Sequence, residues 1–221
     1  MRDEDFQVFI DEFGEATHRV DVPKEAIEKW RGKLPDRLLD YWGTEGWSGY
    51  SNGLIWFVDP DDYEDLVDEW LDGSPLEQID AFHVFARTGF GKLFLFGEAT
   101  GQGVFINCAT HSIFATERGL KKKNARELEN SFRAFLGVSK DSCELDDDDG
   151  KPLFKRAIKT HGPLEPDEMY GFEPAIVLGG KMDLDHLHRV KLDQHLTILR
   201  QLAPPTMPMA NIDFSKILPK S

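Results

Sequence analysis

The sequence contains one close match to a catalytic motif, at Gly49–Gly53. These residues read Gly-Tyr-Ser-Asn-Gly, the G-x-S-x-G pattern that presents a nucleophilic serine in hydrolases, here Ser51. The motif needs a strand before the serine and a helix after it. The surrounding sequence predicts the opposite order, a helix before and a strand after. A tight turn rich in Gly, Ser and Asn is therefore favoured, and a hydrolase that uses Ser51 stays as an alternative.

A second set of residues has the chemistry of metal ligands and lies within one short segment: Asp183, Asp185, His186, His188, Asp193 and His195. A metal site would need several of these side chains to converge, and no HExxH pair or second Cys/His cluster supports one. His195 is expected at the edge of a helical core, and His83 and His111 are interpreted as isolated strand residues. The sequence predicts no metal site and no cofactor.

Two further motifs fail on spacing. The acidic run Asp146–Asp149 precedes Gly150, but a calcium loop with Gly150 at position six would have Leu145 at position one and Arg156 at position twelve. An EF-hand is thus excluded and a solvated acidic loop is favoured. The segment Gly89–Lys92 lacks the upstream glycine and the following Ser or Thr of a phosphate-binding loop. It is interpreted as a hairpin turn, so the sequence holds no complete catalytic constellation.

The net charge disfavours two kinds of partner, nucleic acids and anionic membranes. The chain has 26 Lys and Arg against 40 Asp and Glu, a formal charge of -14. Nucleic-acid binding depends on cations placed against phosphates, so direct DNA or RNA binding is disfavoured, as is an anionic membrane. The same field would attract a basic protein partner, although an acidic surface can also serve solubility alone.

The start of the chain, the length of its apolar runs and its cysteines indicate the cellular compartment. The start is acidic and lacks a signal-peptide pattern, and no apolar run reaches the roughly 20 residues that span a bilayer. Cys108 and Cys143 are far apart in the sequence, so neither a disulfide framework nor a cysteine zinc site is suggested. We expect a cytoplasmic protein with reduced thiols.

The first third of the chain predicts helices that lead into a buried strand. Pro23 and Pro35 fit the starts of two helices, and Leu54–Val58 forms a buried strand. Asp59 then caps a helix that runs to about Leu71. Its apolar stripe is predicted at Tyr63, Leu66, Val67, Trp70 and Leu71.

The other face of this helix is almost entirely acidic, and its acids are the predicted partner-binding residues: Asp61, Asp62, Asp65, Asp68, Glu69 and Asp72. Acids at a helix start are favoured by the helix dipole, whereas Asp68, Glu69 and Asp72 lie near the end that opposes them. These later acids are the better indication of a partner. A solvated face without a partner is the alternative.

The rest of the chain predicts strands and then mixed elements. Four short Phe-rich runs within 81–117 indicate an antiparallel meander. Asn124 and Glu127 predict a capping box for a helix that Gly137 ends. Further on we expect a helix before Gly162, a strand at 175–178 and a final helix before Pro204. Runs of helices and strands without regular alternation predict an α+β fold: N-terminal helices packed on a mainly antiparallel sheet, then a smaller mixed α/β region. The predicted division is 1–140 and 150–221, with 141–149 as an acidic linker or loop.

Two sets of turn and aromatic residues resemble known families. The first set resembles the GAD-related domain and comprises Leu34-Pro35, Leu38-Leu39, Tyr41-Trp42, Gly46–Tyr50, Asn52–Trp56 and Pro60, continued by Phe85–Gly91 and Leu93–Phe96. The second is similar to the C-terminal domain of type VI secretion DNase immunity proteins and comprises Tyr170–Ala175, Leu178–Gly180 and His195-Leu196. Together the two cover most of the chain.

The resemblance implies a non-enzymatic protein that binds and neutralises a cognate effector toxin, a DNase, in the cytoplasm of the producing cell. It carries over no contact residues, because the matching positions serve turns and packing. The acidic surface suggests occlusion of the basic DNA-binding surface of the toxin, with phosphate mimicry as the sharpest form. A regulatory or scaffold module with a host protein partner is the second alternative, beside a hydrolase that uses Ser51 or a His/Asp cluster.

Overall fold

A computed structural model describes residues 2–208 together with Ile212, Phe214 and Ile217. Eight α-helices lie in the described ranges: α1 (Glu4–Phe13), α2 (Lys24–Trp30), α3 (Asp36–Glu45), α4 (Glu64–Leu71), α5 (Ala125–Phe135), α6 (Lys140–Cys143), α7 (Phe154–His161) and α8 (Leu192–Leu202). Nine strands accompany them: β1 (Ala16–Val20), β2 (Trp47–Tyr50), β3 (Ile55–Phe57), β4 (Phe82–Thr88), β5 (Lys92–Gly97), β6 (Gly101–Asn107), β7 (Ser112–Ala115), β8 (Glu168–Phe172) and β9 (Leu187–Lys191). Within those residues, no helix is both long and apolar enough to cross a membrane.

The centre of the fold is a seven-stranded antiparallel sheet whose strands lie in sequence order, β1 to β7. Each strand pairs with the next one along the chain; α2 and α3 lie between β1 and β2, and α4 lies between β3 and β4. The smaller C-terminal region contains a two-stranded hairpin, β8 and β9, between α7 and α8. The predicted α+β class, with N-terminal helices on an antiparallel sheet and a mixed C-terminal region, is confirmed.

The two faces of the sheet are covered by different helices. On one face α1 and α5 pack aromatic rings against the strands: Phe9 lies 5.0 Å from Tyr50, and Phe135 lies 4.7 Å from Phe85, between ring centroids. Side chains alternate along a strand, so Trp56 points away from these helices. On that second face the Arg87 guanidinium stacks on the Trp56 ring at 4.9 Å, and α4 and α8 cover this side.

The turn between β4 and β5 joins the C-terminal region to the sheet. Tyr170 donates its main-chain N–H to the oxygen of Gly89 at 2.8 Å, and Phe90 contacts the ring of Phe154. A Cβ on Gly89 would lie 2.7 Å from Phe154 and 2.8 Å from a backbone oxygen, so no larger residue fits there. The interpretation of this segment as a hairpin turn is confirmed. One continuous set of buried apolar residues runs through both regions.

Three predicted details are wrong. The expected strand at 175–178 is a 3-10 turn, Ile176–Leu178, closed by Gly179 in the left-handed conformation; Leu178 is 62% exposed and has no sheet neighbour to pack against. The helix α5 ends at Leu136 rather than through a left-handed Gly137. The strand β2 directly precedes Ser51, where a helix was expected.

The acidic segment 141–149 contains the end of α6 and a loop. Cys143 is buried, and Asp147 is a buried acid whose carboxylate accepts from the main-chain N–H groups of Asp149 and Lys151 at 3.0 and 2.8 Å. Arg156 donates to the same carboxylate at 2.5 Å, and the side-chain hydrogen bond from Arg156 lowers the pKa of Asp147. Asp146, Asp148 and Asp149 are exposed.

Candidate partner-binding surface

The helix α4 is held on the sheet by the predicted apolar stripe. Asp59 caps a 3-10 turn, Pro60–Tyr63, by accepting from the N–H of Asp61, and α4 follows from Glu64. The predicted single helix is therefore a 3-10 turn followed by an α-helix. The stripe residues Tyr63, Leu66, Val67, Trp70 and Leu71 are all buried. Because these residues face the core, the acids lie on the solvent-exposed side of the helix.

All six predicted acids are exposed: Asp61, Asp62, Asp65, Asp68, Glu69 and Asp72. They do not form one flat face, because α4 separates two clefts. We call the first the seam cleft; it has a volume of about 580 Å³ and lies between α4 and the C-terminal region. Its lining residues are Asp61, Asp62, Tyr63, Asp65, Leu66, Pro166, Asp167, Leu192 and Asp193.

The second cleft, which we call the groove, is larger and lies on the opposite flank of α4. It has a volume of about 910 Å³ and is enclosed by α4 and the segment that leads from α4 into β4. Its lining residues are Glu64, Val67, Asp68, Glu69, Leu71, Asp72, Glu77, Gln78, Ile79, Asp80, Ala81, Phe82 and His83. Neither cleft has a Lys or Arg among its described lining residues.

Only part of the acidic charge on α4 and the preceding turn is paired within the fold. Asp61 accepts from the Lys29 ammonium at 2.6 Å, and Asp72 lies 4.0 Å from the Arg200 guanidinium. In the described part of the chain, Asp62, Asp65, Asp68 and Glu69 form no ion pair. The excess carboxylates are therefore available to a cationic partner.

Arg200 on α8 changes the interpretation of the later acids. Its guanidinium donates to the main-chain oxygens of Glu69 and Asp72 at 2.6 and 3.3 Å. A cation at the end of a helix offsets the unfavourable field there. The placement of acids at this end therefore has a compensating contact inside the protein, and their location alone no longer indicates a partner.

The acids at the start of the segment affect one another. Burial, with the nearby Asp61 and Asp62 carboxylates, raises the pKa of Asp59 to about 6. Burial and the charge of Asp61 also raise the pKa of Asp62. Negative charge is thus already crowded beside the seam cleft, and an incoming cation would relieve that repulsion.

His83 belongs to a network that the sequence did not predict. It is buried, with Nδ1 2.8 Å from a Glu64 carboxylate oxygen and Nε2 3.0 Å from one of Glu98, and its ring packs on Trp30 at 4.7 Å. These contacts fix α4 against β4 at the base of the groove. His83 is a strand residue of β4, as expected, but it is not isolated. His111 was expected in a strand and instead lies in the turn between β6 and β7 with a φ of 48°; its Nε2 lies 2.5 Å from the oxygen of Leu199 on α8.

The motifs that resembled catalytic sites have structural roles. Ser51 lies in the turn between β2 and β3 with a φ of 49°, and its hydroxyl donates to the oxygen of Phe13 at 2.6 Å. His195 contacts Gly171 on β8, where a Cβ would lie 2.4 Å from its Nε2. His186 instead contacts Asp183 at 2.6 Å. No group of three or more His, Cys, Asp or Glu side chains able to hold a metal occurs among the residues the structure describes.

Sequence reasoning missed the residues that the C-terminal region contributes to this surface. Asp167 and Asp193 line the seam cleft opposite α4. They lie more than 90 positions from α4 in the sequence, and single acids among many carry no signal of such proximity. Leu192 and Asp193 open α8, so the amphipathic pattern of that helix could have placed Asp193 on a solvent-facing side.

The fold and surface define a two-part α+β protein with acid-lined clefts on both flanks of α4. Residues 4–110 match the family model of the GAD-like domain, and residues 129–203 match that described as T6SS immunity protein Tdi1, C-terminal. The chain is therefore similar to a GAD-like domain in its first half and to the C-terminal domain of a type VI secretion immunity protein in its second half, and the resemblance read from its sequence is confirmed.

Comparison with solved structures supports the same fold. The crystal structure of Atu4351 from Agrobacterium tumefaciens superposes with a TM-score of 0.82, covers 91% of each chain and is 23% identical in sequence. No curated protein matches the chain.

Proposed function

We propose that this protein is a cytoplasmic immunity protein that binds a cognate type VI secretion effector, a DNase, and blocks it without catalysing a reaction. The C-terminal family match supports an immunity protein. The observation that supports the mode of action is the lining of the two clefts beside α4, which holds eleven carboxylate residues and no Lys or Arg among its described positions: Asp61, Asp62, Glu64, Asp65, Asp68, Glu69, Asp72, Glu77, Asp80, Asp167 and Asp193.

The mechanism follows from the chemistry of the target. A nuclease must present cationic groups to hold the phosphates of DNA. A rigid acidic surface attracts those groups over several ångströms and competes with DNA for them. The partner-binding residues we propose are Asp61, Asp62, Asp65, Asp68, Glu69 and Asp72. Occlusion of the active site or of the DNA-binding surface accounts for inhibition without chemistry.

The test is neutralisation by the purified protein. The product of the adjacent gene, taken as the candidate toxin, is assayed on plasmid DNA with increasing amounts of the immunity protein, and co-purification is measured in parallel. We expect stoichiometric inhibition and a stable complex. Undiminished cleavage at a molar excess would contradict the proposal, whereas co-purification without inhibition would favour a scaffold role.

DNA binding by the protein itself is the necessary control. Sequestration of DNA would also reduce cleavage, so a mobility-shift titration is run with the immunity protein alone. At physiological salt we expect no shift, since even basic non-specific binders reach only about 10⁻⁴ to 10⁻⁶ M there. Sub-micromolar duplex binding would contradict competition for the nuclease.

A further inference from the structure

The groove has a composition that differs from that of a solvated acidic face. Its interior side is apolar, formed by the buried side chains of Val67, Leu71 and Phe82 with the half-buried Ile79. Its rim carries the carboxylates of Glu64, Asp68, Glu69, Asp72, Glu77 and Asp80. A polar solute or a free cation would leave the apolar side unused. A ligand with an apolar stem and a cationic head would contact both.

The walls of the groove are held in place by the protein itself. Asp80 accepts from the main-chain N–H groups of Ala99 and Thr100 at 2.9 and 2.7 Å. Glu64 contacts His83, and Glu77 accepts from the N–H of Gly73 at 3.3 Å. Three of the six rim acids are therefore held by hydrogen bonds within the protein. Binding would lose little conformational entropy of the groove backbone.

The remaining rim acids lie at the end of α4, with Asp68 and Glu69 in its last two turns and Asp72 directly after it. Asp68, Glu69 and Asp72 are exposed, and only Asp72 has a cation nearby, the guanidinium of Arg200 at 4.0 Å. Residues three and four apart on a helix are neighbours, so Asp68 and Asp72 lie on the same side. Together they present adjacent acceptors along one edge of the apolar side.

The volume bears on the size of the occupant. At about 910 Å³ the groove is at the upper end of the range for ligand pockets, roughly 300–1,000 Å³, and exceeds what one side chain fills. An extended or helical segment with several side chains matches it better.

We infer that the groove seats a Lys- or Arg-bearing segment of the toxin, with the apolar stems of its side chains on Val67, Leu71, Phe82 and Ile79 and its cationic heads on Asp68, Glu69 and Asp72. The inference rests on the proposed function and adds short-range contacts in the groove to the electrostatic attraction. Long-range attraction acts mainly on the association rate, whereas short-range contacts act mainly on the dissociation rate.

The test fills the groove without changing charge. Gln78 and Ala81 line the groove and are exposed, so Gln78→Trp and Ala81→Trp each place an indole there and leave the net charge at -14. Gln7→Trp is the matched control, because Gln7 is exposed on α1 and lines neither cleft. The partner is the candidate toxin that the neutralisation assay identifies as a nuclease, carrying an inactivating active-site substitution. Dissociation and association rates are measured by surface plasmon resonance, and folding is checked by near-UV circular dichroism.

Both groove variants should dissociate at least about tenfold faster, with association changed by less than about threefold, and Gln7→Trp should behave as wild type. Hydrogen exchange on the wild-type complex gives a measurement that needs no variant, and we expect new protection of the amides of 77–82. Wild-type dissociation rates in both groove variants, or no added protection of 77–82, would overturn the inference alone. A wild-type protein that fails to bind the nuclease would overturn the proposed function as well.

Discussion

The Arg200 guanidinium donates a hydrogen bond from Nε to the main-chain oxygen of Glu69 at 2.6 Å. Arg200 belongs to α8 in the C-terminal region, whereas Glu69 lies in the last turn of α4 on the sheet. The contact therefore joins the two regions beside the candidate surface. Trp70 adds a second link, since its indole N–H donates to the oxygen of Leu196 at 3.3 Å.

Arg200→Ala should lower the free energy of unfolding by about 1–2 kcal/mol. The change leaves two terminal carbonyls of α4 without this donor and removes a favourable charge from the helix end. Urea unfolding followed by tryptophan fluorescence measures the loss. Arg126→Ala is the control, because Arg126 is exposed on α5 and has no side-chain hydrogen bond in the described structure. Equal effects of the two substitutions would contradict the role assigned to Arg200.

Asp59→Asn should stabilise the protein at neutral pH and not at acidic pH. The folded pKa of Asp59 is raised from 3.8 to about 6 by burial, so the folded state retains a proton that the unfolded chain releases. Wild-type stability therefore falls as the pH rises from about 4 to above 6.

Asparagine is an equally good helix cap and cannot ionise. The variant should gain about 1 kcal/mol at pH 8, where water around the half-buried side chain reduces the full effect, and nothing at pH 3.5. Urea unfolding across this pH range provides the measurement, with Asp68→Asn as the control for loss of one negative charge. A pH-independent difference would show that ionisation of Asp59 is not the cause.

Ser51→Ala should preserve neutralisation of the toxin. The hydroxyl donates to the oxygen of Phe13, so its loss removes one hydrogen bond and should cost about 1 kcal/mol of stability. Plasmid cleavage by the nuclease is measured with each protein at equal concentration. Loss of neutralisation with folding and complex formation intact would instead restore the hydrolase interpretation.

Asp147→Ala should destabilise the acidic loop far more than Asp149→Ala. Asp147 is buried and accepts from two main-chain N–H groups and from Arg156, whereas Asp149 is exposed and contacts Lys151 at 3.1 Å. We expect Tm to fall by about 5 °C for the first variant and by less than about 1 °C for the second. Similar shifts in differential scanning calorimetry would show that the loop does not depend on the buried carboxylate.

The sequence predicted those elements whose local patterns and tertiary contacts agree. The capping box of Asn124 and Glu127 is present with both of its hydrogen bonds, at 3.1 and 2.9 Å. The antiparallel strands within 81–117 were also predicted correctly, because short apolar runs separated by turn residues indicate buried strands. The apolar stripe of α4 was predicted as well, since burial on one side of a helix imposes a period that the sequence displays. The segment Ile176–Leu178 was mistaken for a strand because three apolar residues do not distinguish a strand from a short helical turn.

The candidate surface was predicted only in part. The exposure of the six acids followed from the burial of the opposite stripe, but their division between the seam cleft and the groove depends on neighbours distant in sequence. His83 is 15 residues from Glu98 and 19 from Glu64, and Arg200 is 131 from Glu69. Such proximities arise from the fold, and no local pattern encodes them.

In the proposed mechanism the acids of α4 attract the toxin, and charge reversal tests this attraction. Asp65, Asp68 and Glu69 are changed together to Lys, and the control reverses three exposed acids outside α4 and both clefts, Asp11, Asp40 and Asp185. Both triple variants change the net charge by the same amount. Each should unfold near the wild-type midpoint, since surface changes seldom cost much stability.

The decisive measurement is the association rate constant with the inactivated nuclease in stopped flow, from low to high salt. We predict that the α4 variant associates at least about tenfold more slowly than wild type at low salt and loses most of the salt dependence, while the control keeps both nearly unchanged. An α4 variant with the wild-type association rate and salt dependence would contradict the account and direct attention to the acidic loop at 141–149.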